Sequence, residues 1–178
     1  SDKINCTYLI NASGLHTEDV ANRIEEIDLP KIKKVMYAKG HYYLYKKKNP
    51  FKHLIYPLPN SNGHGIHAGM DIDNNLRFGP NAKWVDSVDY SFDENTLEEF
   101  CNSIKSYWID FDPSCLMPDY TGIRSKIVAD GEGGQDFEIL DPCDHGLENL
   151  IHLQGVDSPG LTSSLSIATE VIKKLGIH

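Results

Sequence analysis

Three kinds of residue in this 178-residue chain could do chemistry. A planar guanidinium such as that of Arg124 can hold a carboxylate through two parallel hydrogen bonds. An imidazole such as that of His67, set among glycines in Gly65-Ile66-His67-Ala68-Gly69, titrates near neutral pH and can accept a hydroxyl proton. The stretch Gly155-Val156-Asp157-Ser158-Pro159-Gly160-Leu161-Thr162-Ser163-Ser164 turns a strand into a helix through small residues. A helix begun there carries about half a positive charge at its N-terminus and attracts anions. Tyr43 and Tyr56 could add hydroxyl groups that hydrogen-bond a carboxylate, and Asn81 is a further polar candidate. Each also has a plainer reading: a surface Arg on an edge strand, a structural His, tyrosines that pack, and a capped helix that only packs.

Other chemistries find little support. Acidic residues outnumber basic ones by 26 to 17, a formal charge of −9, which opposes a nucleic-acid partner. The run Lys46-Lys47-Lys48 reads as an exposed loop. No stretch approaches the ~20 apolar residues of a membrane span, and the opening lacks a signal-peptide pattern. Cys6, Cys101, Cys115 and Cys143 form no C-x-x-C pair, so no structural zinc or disulfide framework is expected, and a reducing, cytoplasmic setting is the default. His64 and His67, three apart on an extended segment, would point to opposite faces, so no metal site is expected. There is no G-x-S-x-G nucleophile elbow, and nothing organises a pair of carboxylates. The loop Gly131-Glu132-Gly133-Gly134 has no P-loop lysine and does not cradle phosphate. His53 and His64 read as loop histidines.

The elements that position these residues follow from periodicity. Tyr8-Leu9-Ile10 is a short strand running into Asn11-Ala12-Ser13-Gly14, small enough for a tight turn. Val20, Ile24 and Ile27 predict a helix over 17–27, ended by Asp28-Leu29-Pro30. Residues 33–45 read as a strand with a bend or bulge at Gly40. Short strands follow at 53–57, 66–72 and 76–78, the last two joined by the hairpin turn Asp73-Asn74-Asn75. Leu97, Phe100, Cys101, Ile104 and Trp108 predict a helix over 94–108, capped by Asp93 or Asn95. A linker over 110–120 leads to strands at 122–129, 136–140 and 150–153. A last helix is capped by Ser158, carries Pro159 at its first position and stops at Gly176, with Leu161, Leu165, Ala168, Val171, Ile172 and Leu175 as its buried stripe. A chain that opens without Met and so close to a core strand reads as part of something longer.

Several segments in register resemble the D-amino-acid oxidase-type FAD-dependent oxidoreductases, and among them the L-2-hydroxyglutarate dehydrogenase/oxidase branch. They are Asn11-Ala12-Ser13-Gly14-Leu15, Ile55-Tyr56-Pro57-Leu58-Pro59, Gly65-Ile66-His67, Gly79-Pro80-Asn81-Ala82, Gly122-Ile123-Arg124 and Ser158-Pro159-Gly160-Leu161-Thr162-Ser163-Ser164-Leu165. The dinucleotide fingerprint G-x-G-x-x-G is missing, since Gly63-His64-Gly65-Ile66-His67-Ala68-Gly69 has the wrong spacing. The resemblance is therefore to the C-terminal half of such an enzyme.

The resemblance implies an α/β (α+β) fold: an antiparallel substrate-binding sheet with flanking helices, plus C-terminal pieces of an FAD-binding Rossmann-like layer. Residues 1–30 would be a segment returning to that layer, 31–121 the substrate-binding domain, and 122–178 the closing strands and flavin-facing helix. FAD would lie against Asn11, Ala12 and Gly14, with the Gly160-Leu161-Thr162 backbone at its pyrimidine edge. A helix dipole there would stabilise charge at N1 and the C2 carbonyl of reduced flavin. Arg124 would anchor a small 2-hydroxy acid, helped by Tyr43 and Tyr56. Hydride would pass to flavin N5 while His67 took the proton. A glycine- or sarcosine-type amino-acid oxidase is the alternative enzyme. A non-catalytic remnant, or one half of a split flavoenzyme, is the alternative of another class. Without the ADP-gripping half this chain alone is not expected to bind FAD tightly or to be active, and its apolar faces should meet that half or a second copy.

Overall fold

The computed structural model describes residues 3–27, 31–58, 65–127 and 136–177. The expected helix stop at 28–30, His64 and the glycine-rich loop 131–134 lie outside them. Contacts divide the chain into two units, Ser1–Tyr37 with Arg124–His178, and Ala38–Ile123.

In the first unit, β1 (Leu9–Asn11) pairs in parallel with β8 (Leu150–Gln154), and β7 (Glu138–Leu140) pairs antiparallel to the far edge of β8. All residues of β8 are buried. Leu150 joins Ala21 and Ile27, while Ile151 and Leu153 join Val171, so successive side chains serve two different clusters. Helix α1 is shorter than the expected 17–27 and covers only Thr17–Ala21. Arg23 and Ile24 donate to Val20 and Ala21, bonds that span three residues instead of four, and the last turn tightens and ends there. A short helix α3 (Pro142–His145) opens with a capping box between Asp141 and Asp144.

The last helix also differs from expectation. Helix α4 is Ser164–Lys174, beginning five residues beyond Pro159. The Gly160 N–H closes back on the Asp157 carbonyl at 2.5 Å, so residues 157–160 form a turn where the first helical turn was expected. Ser158 is therefore no N-cap. The face of α4 that packs inward carries Ile167, Val171 and Leu175. Leu161, Leu165 and Ile172 are exposed at 92%, 83% and 47%.

The second unit is built on β2 (Met36–Tyr45), which begins in the first unit's residues. Its sheet runs in the order β3 (Ala68–Met70), β4 (Leu76–Phe78), β2, β5 (Lys83–Val85), and β6 (Leu116–Lys126) also pairs with β2. The hairpin at 73–75 joins β3 to β4 in antiparallel register, Ala68 opposite Phe78. Gly40 lies inside an unbroken strand, where a Cβ would sit 2.7 Å from the Pro80 Cβ; close approach, not a bend, explains the glycine. The expected strand at 53–57 reduces to one bridge, Ile55 to Ala68. The expected linker is largely strand, because β6 starts at Leu116. Pro118 is tolerated there because β6 pairs with β2 alone among the described strands. Helix α2 (Leu97–Lys105) follows a 3₁₀ turn capped by Asp93, as expected. It lays Phe100 and Ile104 on Tyr43, Tyr45, Leu76 and Phe78, with Trp108 packed alongside.

Phe100 is fully buried and Leu97 is 41% exposed on the same helix. Phe100→Ala should cost about 3–5 kcal/mol of unfolding free energy, against about 0.5 kcal/mol for Leu97→Ala. Urea unfolding of both variants measures the contrast.

Candidate functional site

Parallel pairing places Asn11 at the end of β1 beside His152 of β8. Both strands therefore release their following loops from the same, C-terminal end, which is where parallel α/β sheets bind ligands. From β1 comes Ala12-Ser13-Gly14, with Ala12 and Ser13 exposed. Gly14 has φ +59°, a backbone only glycine adopts without strain. From β8 comes the segment 155–163. Thr17 is also buried at this end and ties the sheet together, its Oγ1 donating to the Leu153 carbonyl at 2.7 Å.

Asn11, expected beside the cofactor, turns its side chain inward and is 3% exposed. Its Nδ2 donates to the Thr17 carbonyl at 2.9 Å and lies 2.9 Å from His152 Nδ1, while its Oδ1 accepts from Ser13 N–H and Oγ. His152 is fully buried. Burial first, and the neighbouring His145 imidazole second, push its pKa down to about 4. Its Nε2 has no hydrogen-bond partner among the described residues, and neither has that of His145.

In the segment after β8, Gly160 is buried, and a Cβ there would fall 2.6 Å from the Asp157 carbonyl oxygen and 2.7 Å from Val156 Cγ1. Its own N–H is used within the turn. The next two N–H groups, of exposed Leu161 and Thr162, have no partner among the described residues. They stand just ahead of α4, at the positive end of its dipole.

The end of β6 touches both loops. Ser125 Oγ donates to the Gly14 carbonyl at 3.3 Å, Lys126 pairs with Asp157 at 2.6 Å, and Ile127 fills the space where a Gly155 Cβ would be. Arg124 and Lys126, two apart on a strand, share a face. Arg124 is half-buried and has no ion-pair or hydrogen-bond partner among the described residues. Every other Lys or Arg that is buried or half-buried among them is paired: Lys39 with Asp89, Arg77 with Asp71 and Asp119, Lys83 with Asp93, Lys126 with Asp157, Lys174 with Asp141.

In the second unit, the structure brings His67 and Tyr56 together, ring centroids 4.2 Å apart and tilted by 59°. Tyr56 is 62% exposed. His67 alternates with buried Ile66 and Ala68 and so faces away from the core. Tyr43 lies elsewhere, 1% exposed in that core with its hydroxyl 3.0 Å from Thr96 Oγ1. Asn81 is buried too, holding His41 and Glu99. Sequence reasoning missed Ser125, Lys126, Asp157 and His152. Nothing local marks them, because Asn11 and His152 are 141 residues apart and Ser125 is 111 from Gly14.

The profile of the FAD dependent oxidoreductase family matches residues 1–173. The mitochondrial L-2-hydroxyglutarate dehydrogenase of Arabidopsis thaliana is 33% identical over 178 residues, which take in 93% of this chain and 37% of the plant protein. The glycerol 3-phosphate dehydrogenase of Caloramator mitchellensis is 26% identical over 181 residues, 96% of this chain and 34% of that protein. Among solved structures, dithionite-reduced L-alpha-glycerophosphate oxidase from Mycoplasma pneumoniae, with FAD bound, superposes with a TM-score of 0.76 at 19% identity, covering 96% of this chain and 43% of that one. The chain thus spans little more than a third of the length of these two curated relatives.

The depressed His152 pKa has a stability consequence. Between pH 6.5, its ordinary value, and about 4 the unfolded chain binds a proton that the folded chain does not. The His152 contribution to stability is therefore complete above pH 6.5 and declines as the pH falls to about 4, by roughly 3 kcal/mol in all. Urea unfolding across that range should show the decline, and His152→Asn should flatten it.

Proposed function

This chain belongs to the FAD-dependent oxidoreductase family, and from that premise we propose that it is the C-terminal portion of a flavoenzyme that oxidises a small 2-hydroxy acid of the L-2-hydroxyglutarate type, with Arg124 as the carboxylate anchor. The observation that carries this reading is the Arg124 guanidinium, unpaired among the described residues. A half-buried cation without an acid among those residues, in a chain whose net charge is −9, suits an anionic ligand. The relative at 33% identity is named for a substrate with that chemistry.

FAD is the cofactor of the family, and the residues present fit its flavin end. Leu161 and Thr162 offer two adjacent N–H donors of the kind that would hold the carbonyl-bearing pyrimidine edge. Ala12 and Gly14 would lie beside it. When bound, FAD supplies the hydride acceptor. Arg124 orients the substrate by its carboxylate, and His67, backed by the ring of Tyr56, accepts the hydroxyl proton at an imidazole nitrogen. Tyr43 takes no part, its hydroxyl being held by Thr96.

The partner in this reading is a nucleotide-binding portion, for which the relatives have room, since the match takes in only 37% and 34% of their lengths. Among the described strands β1 is the edge of a parallel pair, with Leu9 and Ile10 each 44% exposed; Leu161 just ahead of α4 and Leu165 within it are exposed as well. Parallel sheets are ordinarily covered on both faces. Among the described residues no helix is long and apolar enough to cross a membrane.

The test is flavin reduction by the protein joined to its nucleotide-binding portion. L-2-hydroxyglutarate should bleach the visible flavin band, and Arg124→Met should lower kcat/KM for it by roughly a hundredfold, the value of two charge-assisted hydrogen bonds. Faster bleaching by glycerol 3-phosphate or by an amino acid would replace the substrate assignment. A joined protein that stays colourless with FAD would overturn the enzyme reading. In sedimentation, this chain should associate with the nucleotide-binding portion; self-association alone would show that a second copy covers the same face.

A further inference from the structure

Asn11 makes no outward contact with its side chain, and the partners it does have determine each other. Ser13 presents two donors, its N–H and its Oγ–H, to one end of the Asn11 amide. Only an oxygen can accept both, so that end is Oδ1 and the other is Nδ2. One Nδ2 hydrogen goes to the Thr17 carbonyl. The second meets His152 Nδ1, which must then be a bare lone pair, with the ring hydrogen on Nε2. A hydrogen on Nδ1, from either the other tautomer or a second proton, would set donor against donor at 2.9 Å in a fully buried site.

The chain of constraint ends on the loop after β1. With the amide oriented, Ser13 is drawn back over Asn11 in a side-chain-closed turn. Gly14 follows in the left-handed region, its carbonyl held by Ser125. Ala12 between them remains exposed.

We infer that Asn11 and His152 are a positioning pair for the cofactor: a neutral His152, fixed as the Nε2–H tautomer, orients the Asn11 amide, and that amide sets the backbone of Ala12–Gly14 against the flavin without either side chain touching it. This rests on the flavin reading above, and it adds that the segment works through a residue 141 positions away in the chain.

The pair is tested in the full-length polypeptide, first without flavin. Nitrogen NMR should show His152 with an unprotonated Nδ1 at neutral pH. Asn11→Asp replaces the donor by an acceptor and should move the ring hydrogen to Nδ1. His152→Leu removes the acceptor and should speed hydrogen exchange at Ser13 and His16, whose N–H groups bond within this turn, by roughly tenfold to a hundredfold. His152→Asn, whose side-chain oxygen can stand at the Nδ1 position, should restore slow exchange and guards against an unfolded leucine variant. In the FAD-loaded protein, His152→Leu should shift the flavin absorption band and midpoint potential, and His152→Asn should return both. A protonated Nδ1 in the wild type, or unchanged loop exchange in a folded His152→Leu, overturns the inference and leaves the flavin reading standing. A loosened loop with an unshifted flavin band overturns the positioning role. A wild-type protein that takes up no flavin overturns the reading itself and this inference with it.

Discussion

The burial of β8 on both faces is the constraint from which the first unit follows. Five residues lie wholly inside the protein, and two of them, His152 and Gln154, carry polar groups that water cannot reach. A buried polar group without a partner costs more than the net value of the bond it would make, which favours partners from within. Asn11 meets His152 at Nδ1, while Nε2 has no partner among the described residues. Gln154 is met by the Lys33 N–H and by Glu138. These bonds pin β1 in parallel register and β7 at the other edge. They also bring the loops after β1 and β8 to one end, where the end of β6 bonds to both.

Charge tells a related story. In a chain with nine more acids than bases, a basic side chain that leaves bulk water easily finds a carboxylate, and nearly all of those described have done so. The exception gains meaning from that background. Arg124 stands between Ile123 and Ser125 on a strand whose next polar positions are committed, Ser125 to a loop carbonyl and Lys126 to Asp157. Its backbone is set by the strand, and its guanidinium has no hydrogen-bond partner among the described residues. Such a group can donate two parallel hydrogen bonds to an anion.

Much of the second unit was legible from pattern. Phe100 and Ile104, four apart, mark the buried face of α2 because they recur at helical spacing. Asp93 marks its start because a short acidic side chain can reach the N–H two residues on. The turn at 73–75 announced its hairpin. What pattern misread were segments whose fate depends on distant neighbours. Pro118 argued for a linker, yet an edge strand needs fewer donors. Gly40 argued for a bend, yet it is small because Pro80 passes over it. Ser158-Pro159 carried every local mark of a helix start, and the Asp157 carbonyl took the Gly160 N–H first.

From sequence alone came the fold class, the family resemblance and the candidate anchors Arg124 and His67, because residue type, periodicity and motif order are local properties of the chain. Only the tertiary structure decided that Tyr43 packs in the core, that Asn11 turns inward to His152, and that Arg124 is the unpaired one among the described buried and half-buried cations. Those facts depend on which groups meet across more than a hundred residues, and on which are left over once the meeting is done. Local spacing carries no record of either.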